Sequence, residues 1–74
     1  MTTLNEAVKN MPYEILWNYC PDQEIRELGF VQGAVISLTS GTSDFVIVRL
    51  KGRHLVLDSE AAQYIKIGEC HGAA

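Results

Sequence analysis

Four side chains carry groups that could hold a metal ion or act as a nucleophile or base: Cys20, His54, Cys70 and His71. Their spacing argues against both. The chain has no Cys-x-x-Cys, His-x-x-x-His or Glu-x-x-His run, so no pair shares one face of an element as zinc ligands commonly do. Cys70 and His71 are adjacent, which puts them on opposite sides of an extended chain. Cys20 reads as a small half-buried residue and His54 as a strand residue facing solvent. The alternative is a surface site for a transition metal ion, Fe2+ or Zn2+, shared between two molecules through Cys70 and His71. A Cys20/His54 pair would still lack a third orienting group and an oxyanion loop. The six glycines stand singly at turns and in the tail and make no phosphate-binding loop. The carboxylates Asp22, Glu24 and Glu27 fall on a short predicted helix, where they suit the positive amino-terminal end of the helix dipole. These residues therefore predict neither an enzyme nor a resident cofactor.

What remains is surface chemistry. A chain of 74 residues cannot bury Tyr13, Trp17, Tyr19 and Phe30 together, so one or two rings should stay exposed. Trp17 is placed in the core beside Ile15. Phe30 and Val31 fall in a turn, where an exposed apolar pair would mark a docking surface. Leu28, Gly29, Phe30, Val31 and Gly33 are therefore the candidate partner-binding turn. Arg49, Lys51 and Arg53 form the only basic cluster. They read as the solvated face and tip of a hairpin, and as a second candidate binding patch.

The elements that must position these groups are short. Thr3-Leu4-Asn5-Glu6 is a capping box and predicts a helix from Leu4 to about Lys9. Tyr13, Ile15, Trp17 and Tyr19 alternate along a first strand. Pro21 and Asp22 start a second short helix, with Ile25 and Leu28 on one side and Gly29 at its left-handed end. Three strands follow: Ala34 to Thr39, Phe45 to Leu50 and Arg53 to Leu57. Their inward sets are Ile36/Leu38, Val46/Val48/Leu50 and Leu55/Leu57. Ser40 to Ser43 has the residues of a four-residue hairpin loop, and Lys51-Gly52 those of a two-residue turn. Asp58 to Gln63 predicts one helical turn, and Tyr64 to Ile67 a last strand with Ile65 and Ile67 inward. Residues 68–74 read as a flexible tail. The pattern predicts one mainly β domain over residues 1–74, with a core at about 13–67. About five short strands with regular turns favour a barrel, which removes exposed sheet edges.

Composition narrows the partners. Apolar residues make up 47% and charged residues 20% of the chain, as in globular proteins. A domain this small buries about 60% of its unfolded surface, which leaves little interior for a deep cleft. The net charge of −3 gives no footprint for nucleic acid or anionic lipid. No apolar run is long enough to insert in a membrane, and no signal peptide is recognisable. The expected location is the cytoplasm, with both cysteines reduced.

The order of elements resembles a known family. Residues 25–36, Ile-Arg-Glu-Leu-Gly-Phe-Val-Gln-Gly-Ala-Val-Ile, are similar to the signature of ferrous iron transport protein A (FeoA). There a Leu-Gly pair precedes a second Gly and a strand. Residues 42–52 resemble the family's Val-rich hairpin. Residues 53–67 resemble its closing strand, Glu-Ala turn and final strand. Leu4 fits the usual amino-terminal Leu. The resemblance covers roughly Tyr13 to Ile67. It implies an SH3-like barrel and a cytoplasmic bacterial accessory protein of ferrous iron transport. The implied partner is FeoB, a membrane protein with a GTP-binding domain. A monomer or weak homodimer is expected. The alternative function is a metal-binding or metal-sensing domain related to the carboxyl-terminal domain of metal-dependent repressors.

Overall fold

The computed structural model describes residues 2–70. Thr2–Thr3 forms a short strand, β1. The capping box then yields a single 3-10 turn, Leu4–Glu6, in place of the predicted helix to Lys9. The Glu6 carboxylate accepts from the Thr3 N–H at 3.4 Å and from the Thr3 hydroxyl at 2.9 Å. Ala7 is already extended (φ −64, ψ 147), and Asn10 takes a positive φ of 64°. Asn tolerates that region better than most residues, so the chain leaves the helix early and turns into the next strand.

Pro12–Asn18 is β2. The predicted alternation holds only to Ile15. Ile15 lies opposite Ile67, yet Trp17 lies opposite Lys66. The extra residue is a bulge, and it turns the strand over. Ile15 is buried, and Trp17 is 49% exposed instead of sitting in the core. Leu16 folds over Gly68, whose Cβ, if present, would come within 2.9 Å of Leu16 Cδ1.

Helix α1 covers Gln23–Glu27, with the Asp22 side chain accepting from the Glu24 N–H at 3.0 Å. The chain then enters β3, Val35–Gly41. A second irregularity between Leu38 and Ser40 shifts the β3–β4 register. Gly41 therefore still pairs, and the predicted Ser40–Ser43 loop moves to Thr42 through Asp44. Thr42 Oγ1 accepts from the N–H groups of Asp44 and Phe45, both at 3.2 Å, and closes that turn. Strand β4, Phe45–Leu50, and strand β5, Arg53–Asp58, pair without interruption. Lys51 (φ 53°) and Gly52 (φ 78°) are the two turn residues. Two positive φ values match the right-handed twist of a tight hairpin. Helix α2, Ser59–Ala62, leads to β6, Ile65–Glu69. That strand runs two residues past Ile67, where the tail was expected to begin, because Gly68 and Glu69 pair with Glu14 and Tyr13.

The antiparallel sheet has the order β1-β6-β2-β3-β4-β5 and curls as a small SH3-like barrel. Its inner face buries Ile36, Leu38, Val46, Val48, Leu50, Leu57, Ile65 and Ile67, as alternation predicts. The segment after β1 crosses one end of the core. It buries Leu4 and reaches β3, where Lys9 bridges Leu38 and the Asn10 N–H donates to the Leu38 carbonyl at 2.7 Å. The connection carrying α1 starts beside Asp58, where Cys20 and Pro21 line one depression with it. It ends at Gly29, against Leu50 and Lys51. That connection spans the two ends of β5, so side chains rather than backbone pairing close this side. Among the described residues β5 keeps an unpaired edge, unlike the edgeless barrel expected from sequence.

Candidate partner-binding surface

The turn from Leu28 to Gly33 is built by local hydrogen bonds. The Leu28 and Gly29 N–H groups close the end of α1 on Glu24 and Arg26, each at 3.1 Å. Gly29 then takes φ 110° and Gly33 φ 91°, which glycine adopts without a Cβ clash. The Ile15 N–H donates to the Ala34 carbonyl, and the Gly33 N–H donates to the Ile15 carbonyl, both at 2.8 Å. The turn is thereby pinned to β2.

Phe30 departs from the sequence expectation of an exposed pair. Its ring is fully buried, while Val31 is 45% exposed. Asn18 explains this. After the bulge its side chain points inward, and Nδ2 donates to the Phe30 carbonyl at 2.8 Å. Asn18 Oδ1 also accepts from the Cys20 N–H at 2.8 Å. One amide thus holds both ends of the segment and aims the Phe30 ring at the core.

The bulge supplies the exposed ring instead. Trp17, Asn18, Arg26, Phe30, Val31 and Gln32 line a shallow cleft of about 280 Å³. Tyr19 stands beside Trp17, with ring centroids 6.1 Å apart and planes tilted by 58°. Leu28, Trp17, Tyr19 and Val31 are all substantially exposed. Trp17 is the member that sequence reasoning left out of this surface. The signal for it was Leu16, which breaks the alternation just where the bulge occurs.

The basic hairpin adjoins this turn at Gly29. A Cβ on Gly29 would lie 3.5 Å from Leu50 Cδ2 and 3.8 Å from Lys51 Nζ. The two candidate patches therefore meet, with the Lys51 stem lying over Gly29. Arg49 and Lys51 also line a groove of about 340 Å³ with Val35 and Ser37. Arg53 is exposed beside the tip.

The thiols and imidazoles do not converge. Cys20 is buried at the Asp58 end of β5, whereas His54 is exposed at the other end, opposite Arg49. A guanidinium beside the imidazole opposes a bound cation. Cys70 is half-buried, and His71 lies outside the described residues. Among the described residues no three His, Cys, Asp or Glu side chains cluster in a way that could hold a metal ion. No helix among them is long and apolar enough to cross a membrane.

Two solved structures share this architecture. The chain is similar to iron(II) transport protein A from Clostridium thermocellum, with a TM-score of 0.84 and 20% identity. That match covers 96% of this chain and 47% of the other, so the chain spans about half the length of that protein. It is also similar to a FeoA-like protein from Clostridium acetobutylicum, with a TM-score of 0.73 and 24% identity over 93% of this chain and 90% of that one. No protein-family model matches the sequence, and no curated protein does. The fold is that of a small all-β, SH3-like barrel. More particularly, it is the fold of FeoA-type proteins.

Proposed function

We propose that this chain is a non-catalytic accessory domain of bacterial ferrous iron uptake. It works in the cytoplasm as a single domain and docks on a FeoB-type membrane GTPase transporter. The reading is supported by the likeness in fold to iron(II) transport protein A. The observation that carries the docking part is the exposed apolar surface of Trp17, Leu28 and Val31 beside the basic Lys51. A ring at the centre of such a surface is the kind of side chain that dominates binding energy. Nucleic acid is a poor partner for a chain of net charge −3.

The test is capture of a FeoB-type transporter from a bacterial membrane extract, with this domain as bait. Trp17→Ala should cost about 2 kcal/mol of binding, or about 30-fold in affinity. Val31→Ser should weaken capture in the same direction. Both residues are exposed, so the variants keep the fold. Undiminished capture by both variants would remove the turn from the reading. No capture by the folded wild type would remove the transporter.

A further inference from the structure

The segment after β1 does more than cover one end of the core. Between Asn5 and Lys9 it forms one wall of a cleft of about 400 Å³. Thr42 and Ser43 of the β3–β4 loop form a second wall. Ser59 of α2 and Gln63 just past it form a third. Leu38 and Val46, both buried, make the floor. That volume falls within the range of small-molecule sites. The cleft shares no residue with the Trp17 cleft or with the Arg49 groove.

The walls are tied in place by the fold itself. The Asn10 N–H holds the first to the Leu38 carbonyl at 2.7 Å. The Ser59 N–H donates to the Asp44 carbonyl at 3.0 Å, and the Ser59 hydroxyl donates to the Thr42 carbonyl at 3.2 Å. Those two bonds join α2 to the loop. A preformed site loses little binding energy to ordering. Gly41, at the end of β3, keeps the cleft open. Its φ is not positive, so the backbone there does not require glycine. A Cβ at this position would stand 3.2 Å from Val46 Cγ1, tighter than ordinary contact. A strand glycine marks a place where another group approaches closely.

The lining has one charged residue, Lys9, and no carboxylate. Asn5, Lys9, Ser43 and Gln63 are exposed and bring two amides, an ammonium and a hydroxyl to the rim. The Asn5 amide oxygen accepts from the Thr3 hydroxyl, which leaves its NH2 group to donate elsewhere. The nearby Glu6 carboxylate is held by the Thr3 N–H and hydroxyl. A single positive charge among neutral donors matches a single negative charge. The apolar floor matches a short carbon body. We propose that this cleft binds a carboxylate with a small apolar body, the charge at Lys9 and the carbons over Leu38 and Val46. A free organic acid and the carboxyl end of a peptide share this chemistry, and the test separates them.

The test is an NMR titration of the whole chain with isovalerate at constant ionic strength. The amide signals of Leu38, Gly41, Val46 and Gln63 should move and saturate in the millimolar range. Those of Trp17 and Val31 should stay still. Isovaleramide, which lacks the charge, should bind about tenfold more weakly, and Lys9→Gln should weaken isovalerate by a similar factor. Lys9 is exposed, so that variant keeps the fold. Gly41→Ala narrows the cleft and should also weaken binding, with thermal unfolding to show that the fold survives. An Ala-Ala-Val peptide that binds more tightly than isovalerate, and loses binding when its carboxyl end is amidated, assigns the site to peptide ends. The opposite order assigns it to free acids. No saturable shift with isovalerate or the peptide overturns the inference. So does equal binding of isovalerate and isovaleramide, or undiminished binding by Lys9→Gln. Inorganic phosphate that displaces isovalerate and binds more tightly would overturn it in favour of a phosphate site.

Discussion

Phe30 and Trp17 exchange the places that their sequence neighbourhoods suggest, and the cause is one inserted residue. At Leu16 the strand bulges, Trp17 swings out and Asn18 swings in to hold the Phe30 carbonyl. Phe30 is then a core residue, and Phe30→Ala should destabilise the protein by about 3–5 kcal/mol. Chemical denaturation measures this; a loss under 1 kcal/mol would mean that the ring is not packed as described. Truncating Phe30 to study docking would confound binding with folding, which is why Trp17 and Val31 are the informative positions. Glu6 makes a smaller, pH-dependent contribution. Hydrogen bonds from the Thr3 hydroxyl and N–H hold its carboxyl below the ordinary 4.5. A folded pKa below the unfolded one stabilises the protein above the ordinary value, and the gain is lost as pH falls through the folded value. Glu6→Gln should therefore lower the melting temperature slightly at neutral pH. The difference should disappear at pH values below the folded pKa. A difference that persists there would mean the loss is not one of charge.

At the level of elements, the β4–β5 turn was readable, whereas the β3–β4 loop was displaced by the bulge in β3. Lys51-Gly52 reads as a two-residue turn from sequence and is one. Lys51 nevertheless holds φ 53°, a region that costs a non-glycine residue energy. Asn-Gly suits this turn type better, so Lys51→Asn should raise stability by about 0.5–1 kcal/mol. Thermal unfolding checks it, and a loss would show that the Lys51 stem over Gly29 matters more than the turn. The same variant removes a charge from the docking face, so a more stable protein with weaker transporter capture would separate the two roles. The β2 bulge left one sign, Leu16 interrupting the alternation, and the β3 bulge left none. Each adds one residue to a ladder, and their apolar patterns stay plausible on either side of the slip. The 3-10 turn was readable at its start, through the Thr3/Glu6 capping box. Its early end depends on Asn10 and the bridge from Lys9 to Leu38, a contact between distant parts of the chain.

For the whole molecule, the docking surface is confined to one side. The Trp17–Val31 cleft and the Gly29–Lys51 junction make one apolar and basic face. Val56 of β5 is exposed but does not line that face. Lysine at Val31 should weaken partner capture, and lysine at Val56 should leave it unchanged. A loss of capture in the Val56 variant would show that the docking face extends to β5.

The inward sets of β3, β4, β5 and β6 and the start of α1 were determined by the sequence itself. Each depends on a local period or on a cap only a few residues long. The barrel class followed from the number and brevity of the strands. The exposure of Trp17, the burial of Phe30, the extension of β6 through Glu69 and the open edge of β5 were decided by the tertiary structure. Each of these depends on which residue of a distant strand lies opposite, and no local pattern in a chain encodes that register.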